Sequence, residues 1–230
     1  MKVKKRKLKK RELKEDEFTK FVKNFVALWS KKQKIFIWGI IGVLVLAVGL
    51  VSFFSNKGKN EKLAQQNFTV AMLVFDSGRL KEAADQFKMI QQQFYGTIAS
   101  DKSLYFLATC YFLAGDIKNA EENFEKYTKT GKDRLFLPSA YEGVAQCAEE
   151  SGNYDKAIKF YKEAADLFTE PAFKVEVLFN LGRMYENKGN LSEAMNSYQQ
   201  ILKIAKTPGI INEAKDRIKL LRGAQEVIGG

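Results

Sequence analysis

The chain has 230 residues, a formal net charge of +11, two cysteines and no histidine. Without histidine, Ser-His-Asp and Cys-His nucleophile systems and histidine metal sites are excluded. No Ser-x-x-Lys pair replaces them, and Thr130-Gly131-Lys132-Asp133 lacks both the upstream glycine and the following Ser or Thr of a phosphate loop. The expectation is a non-enzyme with no cofactor and no metal.

Residues 1–14 form a basic tail. Before Ile35 the sequence holds 14 Lys or Arg against four acids, so nearly all of the net charge lies there and the rest of the chain is close to neutral. A nucleic-acid-binding domain would carry its basic stripe on the folded part, so no specific nucleic acid is expected as a partner. The tail suits an anionic lipid surface, which attracts such segments by about 1 kcal/mol per basic residue; ribosomal RNA is the competing partner for it.

Residues 15–34 predict a juxtamembrane amphipathic helix. Phe18, Phe21, Val22, Phe25, Val26 and Trp29 share one helical face, with Lys20, Lys23 and Asn24 opposite. A small helix that docks on a partner protein is the other reading of that face. Residues 35–54 carry no charge and are long enough to cross a bilayer's hydrocarbon core, which predicts one transmembrane helix. Trp29 and Trp38 then sit at headgroup level, so Phe18, Phe21, Phe25, Trp29 and Trp38 make up the membrane interface. No small-x-small cleavage site follows Phe54, which favours a retained anchor over a signal peptide. The positive-inside rule places the N-terminus in the cytoplasm and everything after the anchor on the other side.

After a linker at 55–62, residues 63–222 repeat with a period of 37. Gly78, Gly115, Gly152 and Gly189 set the register. Ala83, Ala120, Ala157 and Ala194 follow each glycine by five positions, and Phe87, Phe124, Tyr161 and Tyr198 follow by nine. Seven positions ahead of each glycine stands a small residue: Ala71, Ala108, Ala145 or Gly182. Small residues let two helices approach, the glycine reverses the chain, and the alanine and aromatic pack the second helix onto the first. Each unit is thus a helical hairpin that cannot bury its apolar face alone, and stacking supplies the core. Thr207-Pro208-Gly209 ends the last hairpin. Ile211, Ala214, Ile218 and Leu221 then mark a capping helix, and 223–230 is expected to be a flexible C-terminus.

These columns resemble the tetratricopeptide repeat, TPR, with departures: the period is 37 rather than 34, Val74 and Ala148 replace the tyrosine held by Tyr111 and Tyr185, and the tryptophan column is lost. The resemblance implies an all-α TPR-like solenoid of four hairpins plus a capping helix, behind an amphipathic helix and one N-terminal transmembrane helix. It also implies a concave groove lined by the first helices. The candidate groove residues are Phe68, Met72, Phe75, Tyr105, Thr109, Phe112, Glu142, Gln146, Phe179 and Arg183. The first two repeats make it aromatic and the last two make it charged. Such a surface suits a helix or an extended unfolded segment, unless superhelical winding turns the rings into core. Cys110 and Cys147 occupy one repeat position, which puts them too far apart for a disulfide, and both read as small core residues.

The layout as a whole is similar to the YfgM-type family of bacterial inner-membrane proteins, with Glu15-Asp16-Glu17-Phe18 leading the amphipathic stretch. That resemblance implies a single-pass inner-membrane protein with its repeats outside the cytoplasm. It would work as an accessory factor of the export machinery beside translocon subunits, chaperones and unfolded chains. An organiser of envelope assembly or cell division is the alternative.

Overall fold

The computed structural model describes residues 17–229, which are helical with short connections and contain no strand. They divide into two compact units on either side of the Lys57–Gly58 bond. The basic tail at 1–14 and Glu15-Asp16 lie outside the described residues. Among the described residues the helices are α1 (Glu17–Asp76), α2 (Leu80–Gln93), α3 (Ile98–Leu113), α4 (Ile117–Thr130), α5 (Phe136–Glu150), α6 (Tyr154–Leu167), α7 (Pro171–Asn187), α8 (Leu191–Ile204) and α9 (Pro208–Gly229).

The first unit is helical wherever it is described. Phe18, Phe21 and Phe25 are exposed along one face, and Phe21 and Phe25 stack with centroids 6.4 Å apart. From Ile37 to Leu50 the apolar side chains are exposed around the helix rather than gathered on one face. Among the described residues no helix is long and apolar enough to cross a membrane. The uncharged run at 35–54 is described only in part, because the side chains at 36 and 51–54 fall outside.

In the second unit, the end of α1 pairs with α2, and α3 with α4, α5 with α6, and α7 with α8 form three more hairpins, each helix packed on the next in sequence. The turn is the same every time. Gly115 N–H donates to the Phe112 carbonyl and Asp116 N–H to the Tyr111 carbonyl, both at 2.9 Å. This double closure needs a left-handed residue, and Gly115 has φ +78°. The other three register glycines repeat both the bonds and the positive φ. On the second helices, all four register alanines are fully buried and the aromatics after them nearly so. The core forms three clusters along the array.

Two boundaries differ from the sequence reading. Residues 55–62, expected as a linker, are helical: they contain no proline, and Gly58 alone does not stop a helix whose neighbours favour it. Residues 223–229, expected to be flexible, continue α9. Pro208 opens that helix, a position where its missing N–H costs nothing.

Candidate functional site

The first-helix face of the solenoid is built from a pair of columns twelve residues apart. One residue stands three before each glycine and the other nine after it. In the first repeat the pair is Phe75 and Phe87, with centroids 6.5 Å apart. In the second it is Phe112 and Phe124, members of one cluster. In the third and fourth the first member becomes a glutamate and the second a tyrosine. Tyr161 donates to Glu149 Oε2 at 3.0 Å, and Tyr198 donates to Glu186 Oε1 at 2.5 Å. A carboxylate half-buried beside a ring needs a donor, and the phenol supplies one without changing the packing of the ring. Burial, then the adjoining glutamate, pushes both phenols above their ordinary range, so they stay protonated and can donate. Arginines complete the pairs: Arg183 lies 2.9 Å from Glu149 Oε1, and Arg217 of α9 lies 3.6 Å from Glu186.

The aromatic end is more filled than the sequence suggests. Phe106, absent from the predicted groove set, sits at its centre, 5.6 Å from Phe68 and Phe87, 5.8 Å from Phe75, 5.3 Å from Tyr105 and 5.5 Å from Phe136. Phe68, predicted to line the groove, is instead core, because Phe106 and Phe87 cover it. Met72, Phe75, Tyr105, Thr109 and Phe112 remain half-buried. Sequence columns missed Phe106 because the other repeats hold Thr69, Gly143 and Asn180 at its position. Gly143 marks the difference: a Cβ there would stand 2.7 Å from the Phe124 ring.

At the charged end, Glu142 and Gln146 are half-buried and Gln146 Nε2 lies 3.5 Å from Glu142 Oε1. Burial first, and the neighbouring Glu176 second, pushes the Glu142 carboxyl up to about 7. Phe179 leans on Tyr198 at 5.7 Å, and Arg183 is exposed in its pair with Glu149. This end therefore holds acids of two kinds, Glu149 paired with Arg183 and Glu142 kept partly protonated near neutral pH.

Elsewhere, Cys110 and Cys147 are buried free thiols, and burial pushes each up to about 12. Among the described residues no group of three His, Cys, Asp or Glu side chains could hold a metal ion. A cleft of about 560 Å³ opens between α2, α3 and α4, lined by Gln91, Asn119 and Asn123 and also by Leu104 and Leu107. None of these places a nucleophile beside a base.

Comparison with known proteins fits this geometry. The sequence family described as a tetratricopeptide repeat-like domain matches residues 26–217. The uncharacterised protein ycf37 of Cyanophora paradoxa is 29% identical over 114 residues, which is 49% of this chain and 64% of that protein. The photosystem I assembly protein Ycf3 of Acaryochloris marina is 34% identical over 64 residues, 28% of this chain and 39% of that one. The chain thus spans less than two thirds of either relative. Among solved structures, MamA superimposes with a TM-score of 0.58 over 71% of this chain and 82% of its own, at 18% identity. YrrB, described as a TPR protein with an unusual peptide-binding site, does so with 0.56 over 70% and 76%, also at 18%. At these identities the likeness is one of fold.

Proposed function

This chain belongs to the tetratricopeptide repeat-like domain family, and we propose that it is a membrane-anchored scaffold whose first-helix face gathers protein partners. The family is one of protein-interaction scaffolds. The observation that carries the reading is the grading of that face. Half-buried Phe75, Phe106 and Phe112 lie at one end, and Glu142, Glu149 and Glu186 at the other. A segment with apolar side chains followed by polar, hydrogen-bonding ones matches it in packing and in polarity.

The anchor is the second part of the proposal. Ile37, Trp38, Val43, Leu46 and Leu50 all expose most or much of their surface, and no core cluster includes them. A continuous apolar stretch exposed on all sides calls for cover, and the uncharged run at 35–54 with its basic approach makes lipid the fitting cover. We place the chain in a bacterial inner membrane, N-terminus inside and repeats outside, as an accessory factor at the export machinery receiving translocated chains or chaperones. A second reading, an assembly factor for membrane complexes, draws support from the relative named as a photosystem I assembly protein.

Photo-crosslinking from Phe112 in the full chain tests the scaffold. Capture of translocating polypeptide favours export, and capture of subunits of one membrane complex favours assembly. Protease added to intact spheroplasts should degrade the repeat domain; its protection would overturn the topology.

A further inference from the structure

The surface that stacks one repeat on the one before it is set by two columns. Leu107, Val144, Leu181 and Ile218 form the first and are 4, 0, 4 and 8% exposed. Cys110, Cys147, Met184 and Leu221 form the second, at 1, 0, 0 and 5%. Each is covered by the second helix of the preceding hairpin, or by α8 in the case of α9. Counting back 37 from Leu107 and Cys110 gives Val70 and Leu73. They are as apolar as the rest of their columns, yet 53 and 66% exposed, and Leu63 beside them is 49% exposed. The N-terminal end of the array is therefore an uncovered stacking surface, continuous in register with an interface the chain uses four times.

The other end differs. At the positions of α9 that match the inward columns Leu178, Gly182 and Tyr185 stand Lys215, Lys219 and Arg222, all exposed. Solenoid ends stay soluble by such polar faces. A second copy stacked head to tail would set its apolar columns against these three cations, which works against that arrangement even though Leu220 is exposed on α9. What a second copy does offer is the same α1 stripe. Leu63, Gln66, Val70 and Leu73 are spaced 3, 4 and 3, the seam of a paired helix, and α1 ends at Asp76. One turn before Leu63 the same spacing reaches Lys59, which would meet its own mate, so the seam ends there. Of the flanking positions, Lys62 falls beside Asn67 of the other copy across a parallel pair, which brings no like charges together, while Val74 is turned into the core.

The geometry points to a self-complementary dimer in which α1 of two copies pairs in parallel through Leu63, Val70 and Leu73, with Gln66 against its own mate at the centre. The interface is isologous and closes on itself, so it makes dimers and not filaments. A polar residue inside such a seam fixes register at some expense in stability. The parallel direction rests on the membrane anchor proposed above: two chains threaded the same way present their α1 helices side by side at high effective concentration.

The test is oxidative crosslinking of the full chain in its membrane. V70C should give a disulfide-linked dimer, since Cys110 and Cys147 are buried and do not compete. K88C, exposed on α2, should not, and adding L73E should abolish the V70C link. The substituted positions are exposed, so circular dichroism should show the fold intact. The pairing is overturned if V70C links no better than K88C. It is equally overturned if links appear only between L63C on one chain and L73C on another, the antiparallel arrangement. A V70C dimer in chains whose Phe112 captures nothing would support the pairing and sink only the scaffold reading.

Discussion

Tyr161 on α6 donates its hydroxyl to Glu149 on α5 at 3.0 Å, at the repeat position where Phe87 meets Phe75 two units earlier. Both members of the pair differ between the two repeats, phenol for ring and carboxylate for ring, so the face is acidic here while the second-helix ring stays packed. Y161F removes the donor but leaves Arg183 on Glu149, so it should cost about 1 kcal/mol. E149F/Y161F, which restores the pair seen in the first repeat, should recover most of that loss. Urea denaturation of the four chains of this cycle checks the coupling, and strict additivity would refute it.

The hairpin glycines differ from Gly223 in backbone conformation and not in what an added methyl would meet. Gly152 has φ +71°, and G152A should destabilise by roughly 1–2 kcal/mol through backbone strain alone, since no atom lies within 4 Å of the new Cβ. Gly223, inside α9 and equally open, lacks that constraint. G223A should stabilise by about 0.5–1 kcal/mol. Thermal melts of the two variants should move in opposite directions.

How much of this was legible depended on whether a residue kept its column. The register glycines, the alanines and the aromatics recur every 37 positions, so hairpin order, turn chemistry and the capping helix could be read directly. Phe106 broke its column, and so the filling of the aromatic end was invisible. The glutamates and tyrosines were each visible, but as separate columns; only the turn between α5 and α6 shows that positions twelve apart face each other. The helix through 55–62 is hidden in the sequence because a charged stretch with a glycine looks like a linker unless the flanking helices are known.

Phe68 and Phe112 were both assigned to the groove, and the structure separates them. Phe68 is buried between Phe87 and Phe106, so F68A should cost roughly 3–5 kcal/mol. Phe112 is half-buried, and F112S should cost markedly less while weakening partner capture. Measuring stability and crosslinking yield on both variants distinguishes a core ring from a binding ring. Equal losses of stability would assign Phe112 to the core as well.

The two thiols give a direct readout of packing. Burial holds Cys110 and Cys147 protonated at neutral pH, since each is pushed up to about 12. The thiolate is the reactive form, so a thiol-specific reagent at pH 8 should modify neither in the folded chain and both in denaturant. Rapid modification of one without denaturant would show that its repeat opens locally.

Glu142 ties stability to pH. Its carboxyl is pushed from 4.5 up to about 7 by burial and then by Glu176, so between those values the folded chain holds a proton that the unfolded chain has lost. A group whose folded value is raised favours the fold fully below the unfolded value, and that contribution fades as pH climbs through the folded value. Stability should therefore fall from about pH 4.5 to about pH 7 by the part Glu142 carries, then level off. E142Q keeps the shape and removes the titration, so its stability should be flat over that window and exceed wild type at pH 8. E176Q should lower the Glu142 midpoint without abolishing it, because burial is the larger cause. Urea midpoints at pH 5 and pH 8 for the three chains decide the matter, and a wild-type curve parallel to that of E142Q would remove Glu142 from the account.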